Sequence, residues 1–187
     1  MRWFVLYARS RRIPVTLGLL GAITVLTWTL WSVFSNTREV GLPMILLTVL
    51  LMVAAVSATL AGPDDALDRT AALPWARRRA LHLLAALAVI VALLLLTLVT
   101  GAQFTPFTIV LRDAVGLLGL LALGAATVGA AKSWFLPLVW TMFAAVYPLA
   151  GRWGELATWQ AQVPDHRPAA ILAAVLGLSG LIAYAVA

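Results

Sequence analysis

Few residues in this chain have the type and spacing to do chemistry. Ser179 in GLSG (177–180) has the form of a nucleophile, and a serine nucleophile needs a base within hydrogen-bond reach. The two histidines, His82 and His166, lie in other segments, and neither is placed to face Ser179. GAATVGAAKS (124–133) approaches a phosphate-binding loop. That motif needs lysine directly after its second glycine, between a strand and a helix, whereas here two alanines intervene. There are no cysteines, and two isolated histidines make no metal cluster. No catalytic group, cofactor site or metal site is expected. What is left is the adjacent pair Arg112 and Asp113, set in an apolar run, and the hydroxyls of Thr24 and Thr27.

Those four residues take their meaning from the elements around them. Of the 187 residues, 63% are hydrophobic and 11% charged, with a mean hydropathy of +1.01. A soluble domain is nearer half apolar and a quarter charged. Apolar runs long enough to cross a bilayer recur along the whole length. The expected fold is therefore all-α: one polytopic transmembrane domain over 1–187, with no room for a globular catalytic module. Six spans are expected, at about Ile13–Phe34, Gly41–Ala61, Ala80–Thr100, within Phe107–Ala131, Trp134–Ala150 and Ala169–Ala187. The fifth is the shortest, and Pro137 and Pro148 predict a kink or a break in it.

Charge orients the spans. Nine of the 13 basic residues fall on one side: Arg2, Arg9, Arg11, Arg12, Arg69, Arg77, Arg78, Arg79 and Lys132. Arg38, Arg112, Arg152 and Arg167 fall on the other. The positive-inside rule then places both termini and the 62–79 loop in the cytoplasm. The net charge of +6 thus follows span ends and implies no nucleic-acid partner. An excess of arginine over lysine, with abundant alanine, leucine and glycine, suits a GC-rich bacterial genome, hence a multi-pass protein of a bacterial cell membrane. Residues 1–12 mix Trp3, Phe4 and Tyr7 with arginines and read as an amphipathic helix on the inner leaflet. On the outer side, 151–168 places Trp153, Leu156, Trp159 and Val163 on one face of a short interfacial helix.

Within the spans, Thr24 and Thr27 share a helical face. They line a polar pathway or bond carbonyls of their own helix. Arg112 would lie about 7 Å inside a span starting at Phe107. Arg112 and Asp113 are then functional charges, or the helix starts later and Arg112 snorkels to outer headgroups.

The segment GPDDALDRTAALPWARRRALHLL (62–84) is the most polar stretch in the chain. Pro63 suits a first helical position, and Asp64, Asp65 and Asp68 favour the positive end of a helix. Asp65 and Arg69 form an i, i+4 pair. So 63–73 reads as a short helix, after which Pro74 restarts the chain and Arg77–Arg79 anchor the third span to anionic lipid. A turn between spans needs only a few residues, so this loop reads as a docking element.

Six spans, a basic amphipathic N-terminal segment and a helical cytoplasmic loop between spans two and three resemble the permease subunits of bacterial ABC exporters whose ATPase is a separate chain. PDDALDRTAALPWARRRALHLL is similar to the loop such permeases carry there. The resemblance implies that Pro63, Asp64, Asp65, Asp68, Arg69 and Ala71 dock on an ATP-binding subunit. It also implies a second permease copy or paralogue, with membrane lipids as further partners. A hydrophobic or amphipathic substrate would leave the cell, with Thr24, Thr27, Arg112 and Asp113 as its candidate pathway. The alternative is a non-transporting scaffold subunit of a larger bacterial membrane complex. Single cysteines at Asn36, Ala71 and Gln162 test the topology: an impermeant thiol reagent on intact cells should label positions 36 and 162 and spare 71. Labelling at 71 would overturn the orientation.

Overall fold

A computed structural model describes residues 10–60, 75–99, 102–104, 106–146 and 151–187. The proposed docking residues Pro63, Asp64, Asp65, Asp68, Arg69 and Ala71, and residues 1–9 of the N-terminal segment, lie outside the described residues.

Among the described residues the regular structure is helical. The helices are α1 (Ile13–Phe34), α2 (Leu42–Leu60), α3 (Trp75–Leu96, extended by a 3₁₀ turn over Thr97–Val99), α4 (Phe107–Thr127), α5 (Phe135–Val146), α6 (Gly151–Ala157) and α7 (Arg167–Val186). Further 3₁₀ turns cover Ala130–Lys132 and Trp159–Ala161. Five helices, α1 to α4 and α7, are long and apolar enough to cross a membrane.

The fifth expected span differs. Its helix, α5, has only 12 residues. At about 1.5 Å per residue it reaches about 18 Å, well short of a hydrocarbon core of about 30 Å. Pro137 sits in its first turn, where proline is tolerated, so it starts the helix rather than kinking it. The described part of the helix ends at Val146. The third helix also differs: it begins at Trp75, so Arg77–Arg79 belong to its first turns and not to the 62–79 loop.

Hydrogen bonds fix the direction of the chain. Arg11 Nη1 and Tyr184 Oη both donate to the carbonyl of Leu60, at 2.8 and 3.1 Å. This brings the start of α1, the end of α2 and the end of α7 to one end of the bundle. Arg79 stacks over the Tyr184 ring at 5.6 Å, adding the start of α3. We refer to this as the basic end. At the opposite end a short parallel bridge ties the α1–α2 link to the α3–α4 link: Val40 N–H donates to Gln103 at 2.9 Å, and Gln103 N–H to Arg38 at 2.7 Å.

The core centres on α4, whose most extensive partner is α7. Their backbones touch at a pair of glycines. A Cβ on Gly119 would run into the Leu176 carbonyl, and one on Gly180 into the carbonyl of Gly119. Small residues permit this approach, and dispersion between the close backbones replaces a hydrophobic force that lipid does not supply. The helix α1 is the opposite case, with most of its apolar side chains exposed. Gly119→Ala should therefore destabilise the bundle by about 1–3 kcal/mol through overpacking. Gly18→Ala, at a position with nothing within 4 Å, should be neutral or stabilising by up to about 1 kcal/mol. Thermal unfolding in detergent reads both, and equal melting of Gly119→Ala and wild type would refute the backbone seam.

Candidate functional site: two polar knots

The knot opposite the basic end is built on Arg112. Its helix starts at Phe107, so the arginine sits about 7 Å along the axis. It does not snorkel outward: the residue is 6% exposed. Its Nε donates to Asp113 Oδ1 at 3.0 Å. Nη2 donates to the carbonyl of Gln160 at 2.8 Å, and Nη1 to those of Gln162 and Val163 at 3.0 and 3.3 Å. One guanidinium thus gathers three backbone acceptors from a segment that is not an α-helix. A planar, five-donor fork suits that task, and a lysine ammonium does not.

The segment it holds, from α6 to α7, is partly an insertion into the bundle. Trp153 is exposed, and so is Val163. Trp159 is fully buried, with its indole packed where Gly116 leaves room: a Cβ on that glycine would overlap the ring. The expected single apolar face over 151–163 is therefore divided. The α-helix ends at Ala157 and a 3₁₀ turn follows, which rotates Trp159 inward. Trp140 Nε1 donates to the carbonyl of Ala157 at 3.0 Å, fixing α6 to α5. The segment closes on His166, whose Nδ1 accepts from Ala169 N–H at 3.2 Å and caps α7. That acceptor role leaves the proton of the neutral ring on Nε2, 3.4 Å from Glu155 Oε2.

Beside Arg112 lies polar capacity that the described residues do not use. Asp113 and Gln160 are fully buried. No protein partner meets Asp113 Oδ2, either end of the Gln160 amide, or Trp159 Nε1. A carboxylate oxygen, an amide and an indole N–H in one buried knot can bind a small hydrogen-bonding guest such as water.

The second knot lies at the basic end. The last carbonyls of a helix lack intrahelical partners. That of Leu60 is satisfied from two sides by Arg11 and Tyr184, and Arg11 also places a cation at the negative end of α2. One residue earlier, Thr59 Oγ1 donates to Val56 at 2.7 Å and lies 2.8 Å from His82 Nε2. With the hydroxyl proton committed to Val56, His82 Nε2 is the donor to Thr59.

The other candidate residues are placed as follows. Thr24 Oγ1 donates to Leu20 at 2.9 Å, and Thr27 Oγ1 to Ile23 at 2.9 Å and Thr24 at 3.2 Å. Both hydroxyls thus return to carbonyls of α1. Thr24 and Thr27 belong to the contact of α1 with α2 and α3, while Arg112 and Asp113 belong to the α4–α7 side. Ser179 Oγ donates to Leu176 within its own helix at 3.1 Å. The sequence did not single out Gln160, and it offered Trp159 only as part of an interfacial apolar face. The one signal pointing to them was an arginine in a span that needed acceptors.

These features together are those of a helical membrane protein. Comparison with protein-family models, curated proteins and solved structures found no match.

The clamp is testable by substitution. Arg112→Met removes the donors and leaves Asp113 a buried, unpaired carboxylate, so stability should fall by about 3–5 kcal/mol. Amide exchange over 159–163 should rise in step. Arg112→Lys should restore only part of the loss. A Met variant that melts with wild type would show that the segment holds itself.

Proposed function

We propose that this chain is the transmembrane permease subunit of a bacterial ABC-type exporter, driven by a separate ATP-binding subunit. In this reading the chain makes six traverses of the cell membrane with both termini cytoplasmic. The fifth traverse includes α5. The ATPase docks on the 63–73 segment, a second permease copy or paralogue completes the transporter, and a hydrophobic or amphipathic substrate leaves at the far face.

One observation carries the reading. The polar 62–79 stretch departs from Leu60, and Leu60 lies at the basic end with Arg11 and Tyr184. The segment that resembles a coupling loop therefore leaves from the same end as the basic first turns of α3 and the end of α7, as an ATPase bound on one side of the membrane requires.

A second reading is favoured by the bonds inside the bundle. Thr24 and Thr27 are committed to their own helix, and Arg112 to the 160–163 carbonyls. Those commitments suit a non-transporting scaffold subunit, which needs no polar route.

The two readings part on the partner. Asp64 and Asp68 share a helical face if 63–73 is helical. Reversing both to lysine weakens the helix start by about 0.3–1 kcal/mol per charge, too little to unfold the bundle. Like charges brought against a basic cleft can cost several kcal/mol, roughly 2 or more. A pull-down at matched membrane levels should recover an ATP-binding chain with wild type and much less with Asp64→Lys/Asp68→Lys. Equal recovery by both removes these carboxylates from docking. Recovery by neither favours the scaffold.

A further inference from the structure

Helices α3, α4 and α7 enclose an apolar groove of about 350 Å³. Leu83, Leu87, Val115, Gly119, Ala174 and Leu181 are among its walls, and the Gly119 backbone contact with α7 forms part of its floor. Its walls are almost wholly nonpolar. Along α7 it runs from Ala174 to Leu181, about 10 Å at about 1.5 Å per residue. Leu84 and Leu178, on its rim, are exposed, so it opens sideways to the medium around the bundle. In a membrane that medium is hydrocarbon.

The foot of the groove is charged. Arg79 lies one turn before Leu83 on α3, and Tyr184 one turn after Leu181 on α7. The Arg79 guanidinium stands 5.6 Å over the Tyr184 ring, which pins it at that mouth. Arg77 lies in line with the rim residue Leu84, two turns before it, and Arg77 and Arg79, two residues apart, flank the mouth from either side of α3. Among the described residues no hydrogen-bond acceptor or carboxylate meets Arg77, Arg78 or Arg79, and the first turn of α3 has no acidic residue. Three cations at the positive end of a helix raise the local potential, and an anion relieves it.

We propose that this groove is a specific site for one anionic phospholipid: an acyl chain lies between α3, α4 and α7, and the phosphate is held by Arg77 and Arg79. Charge and apolarity adjoin in the order a lipid presents them. A soluble anion satisfies the arginines and leaves the groove bare. A zwitterionic lipid fills the groove and brings its own cation against the arginines. The site depends on the membrane setting alone and not on an ATPase partner, so its failure and that of the export reading are separately visible.

Native mass spectrometry on full-length protein extracted from vesicles of equal phosphatidylglycerol and phosphatidylcholine provides the test. Wild type should retain one phosphatidylglycerol in preference to phosphatidylcholine. Arg77→Gln/Arg79→Gln should lower that preference by roughly five-fold per arginine, the equivalent of about 1 kcal/mol each. Ala174→Phe places a ring in the groove from an exposed position, and should cut retention of both lipids while helix content and melting stay as in wild type. If that variant melts early, Leu178→Phe at the exposed rim takes its place. Equal retention of the two lipids by wild type, an unchanged preference in the arginine variant, or full retention in a folded groove-filled variant would each overturn the site. Displacement of the lipid by inorganic phosphate would also overturn it, in favour of a soluble anion.

Discussion

Irregular backbone shut away from water must find hydrogen-bond donors for the carbonyls it buries, and here one guanidinium supplies three of them. Hydrocarbon offers no water, so irregular backbone at membrane depth survives only where protein satisfies it. Arg112 binds the carbonyls of Gln160, Gln162 and Val163 from a fixed position on α4. Asp113 offsets the charge from the next residue. The rest of that end follows. Because the 3₁₀ turn is held against α4, Trp159 can be buried, and because Trp159 is buried, position 116 has room for glycine only.

The two ends of the bundle solve one problem by different means. At the Arg112 end a charged side chain reaches from inside a helix to a loop. At the basic end, side chains from α7 and from just before α1 reach the last carbonyl of α2. Between them α4 and α7 are joined backbone to backbone at Gly119 and Gly180. Packing of that kind adapts poorly to displacement, since each atom already has close neighbours. The groove toward α3 adjoins this seam, and Gly119 and Gly177 are part of its lining.

Much of this was legible in the sequence. Hydropathy located the five long helices, because a span must hide its backbone in a run of apolar residues whatever it packs against. Edges were less legible. Arg77–Arg79 read as loop because they are charged, yet a helix can begin at Trp75 and let long arginine stems carry their charges outward. Trp153, Leu156, Trp159 and Val163 fit a helical period, and the change to a 3₁₀ turn after Ala157 broke it. Arg112 was ambiguous for a different reason. Its acceptors lie 48 to 51 residues later. No local pattern shows that an arginine has a partner that far along the chain, so snorkelling was the plainer expectation.

The contrast between helices sets where this bundle is stiff and where it is pliant. Along α4 and α7, backbone contact, the Arg112 clamp and the buried indole act on the same pair of elements, so displacing one loses all three. Along α1 the hydroxyls of Thr24, Thr27, Thr29 and Ser32 bond only its own carbonyls. Such bonds travel with the helix and resist nothing when it shifts against α2 and α3. Much of its surface is exposed Val, Leu and Phe, which lipid or a neighbouring helix accepts equally. A single change of packing around α1 therefore costs little, whereas one around α4 breaks contacts that have no substitute. α4 and α7 are therefore the most restrained pair of the described bundle, while α1 is tied at its start by the Arg11 bond to Leu60 and along its length by packing that lipid can replace.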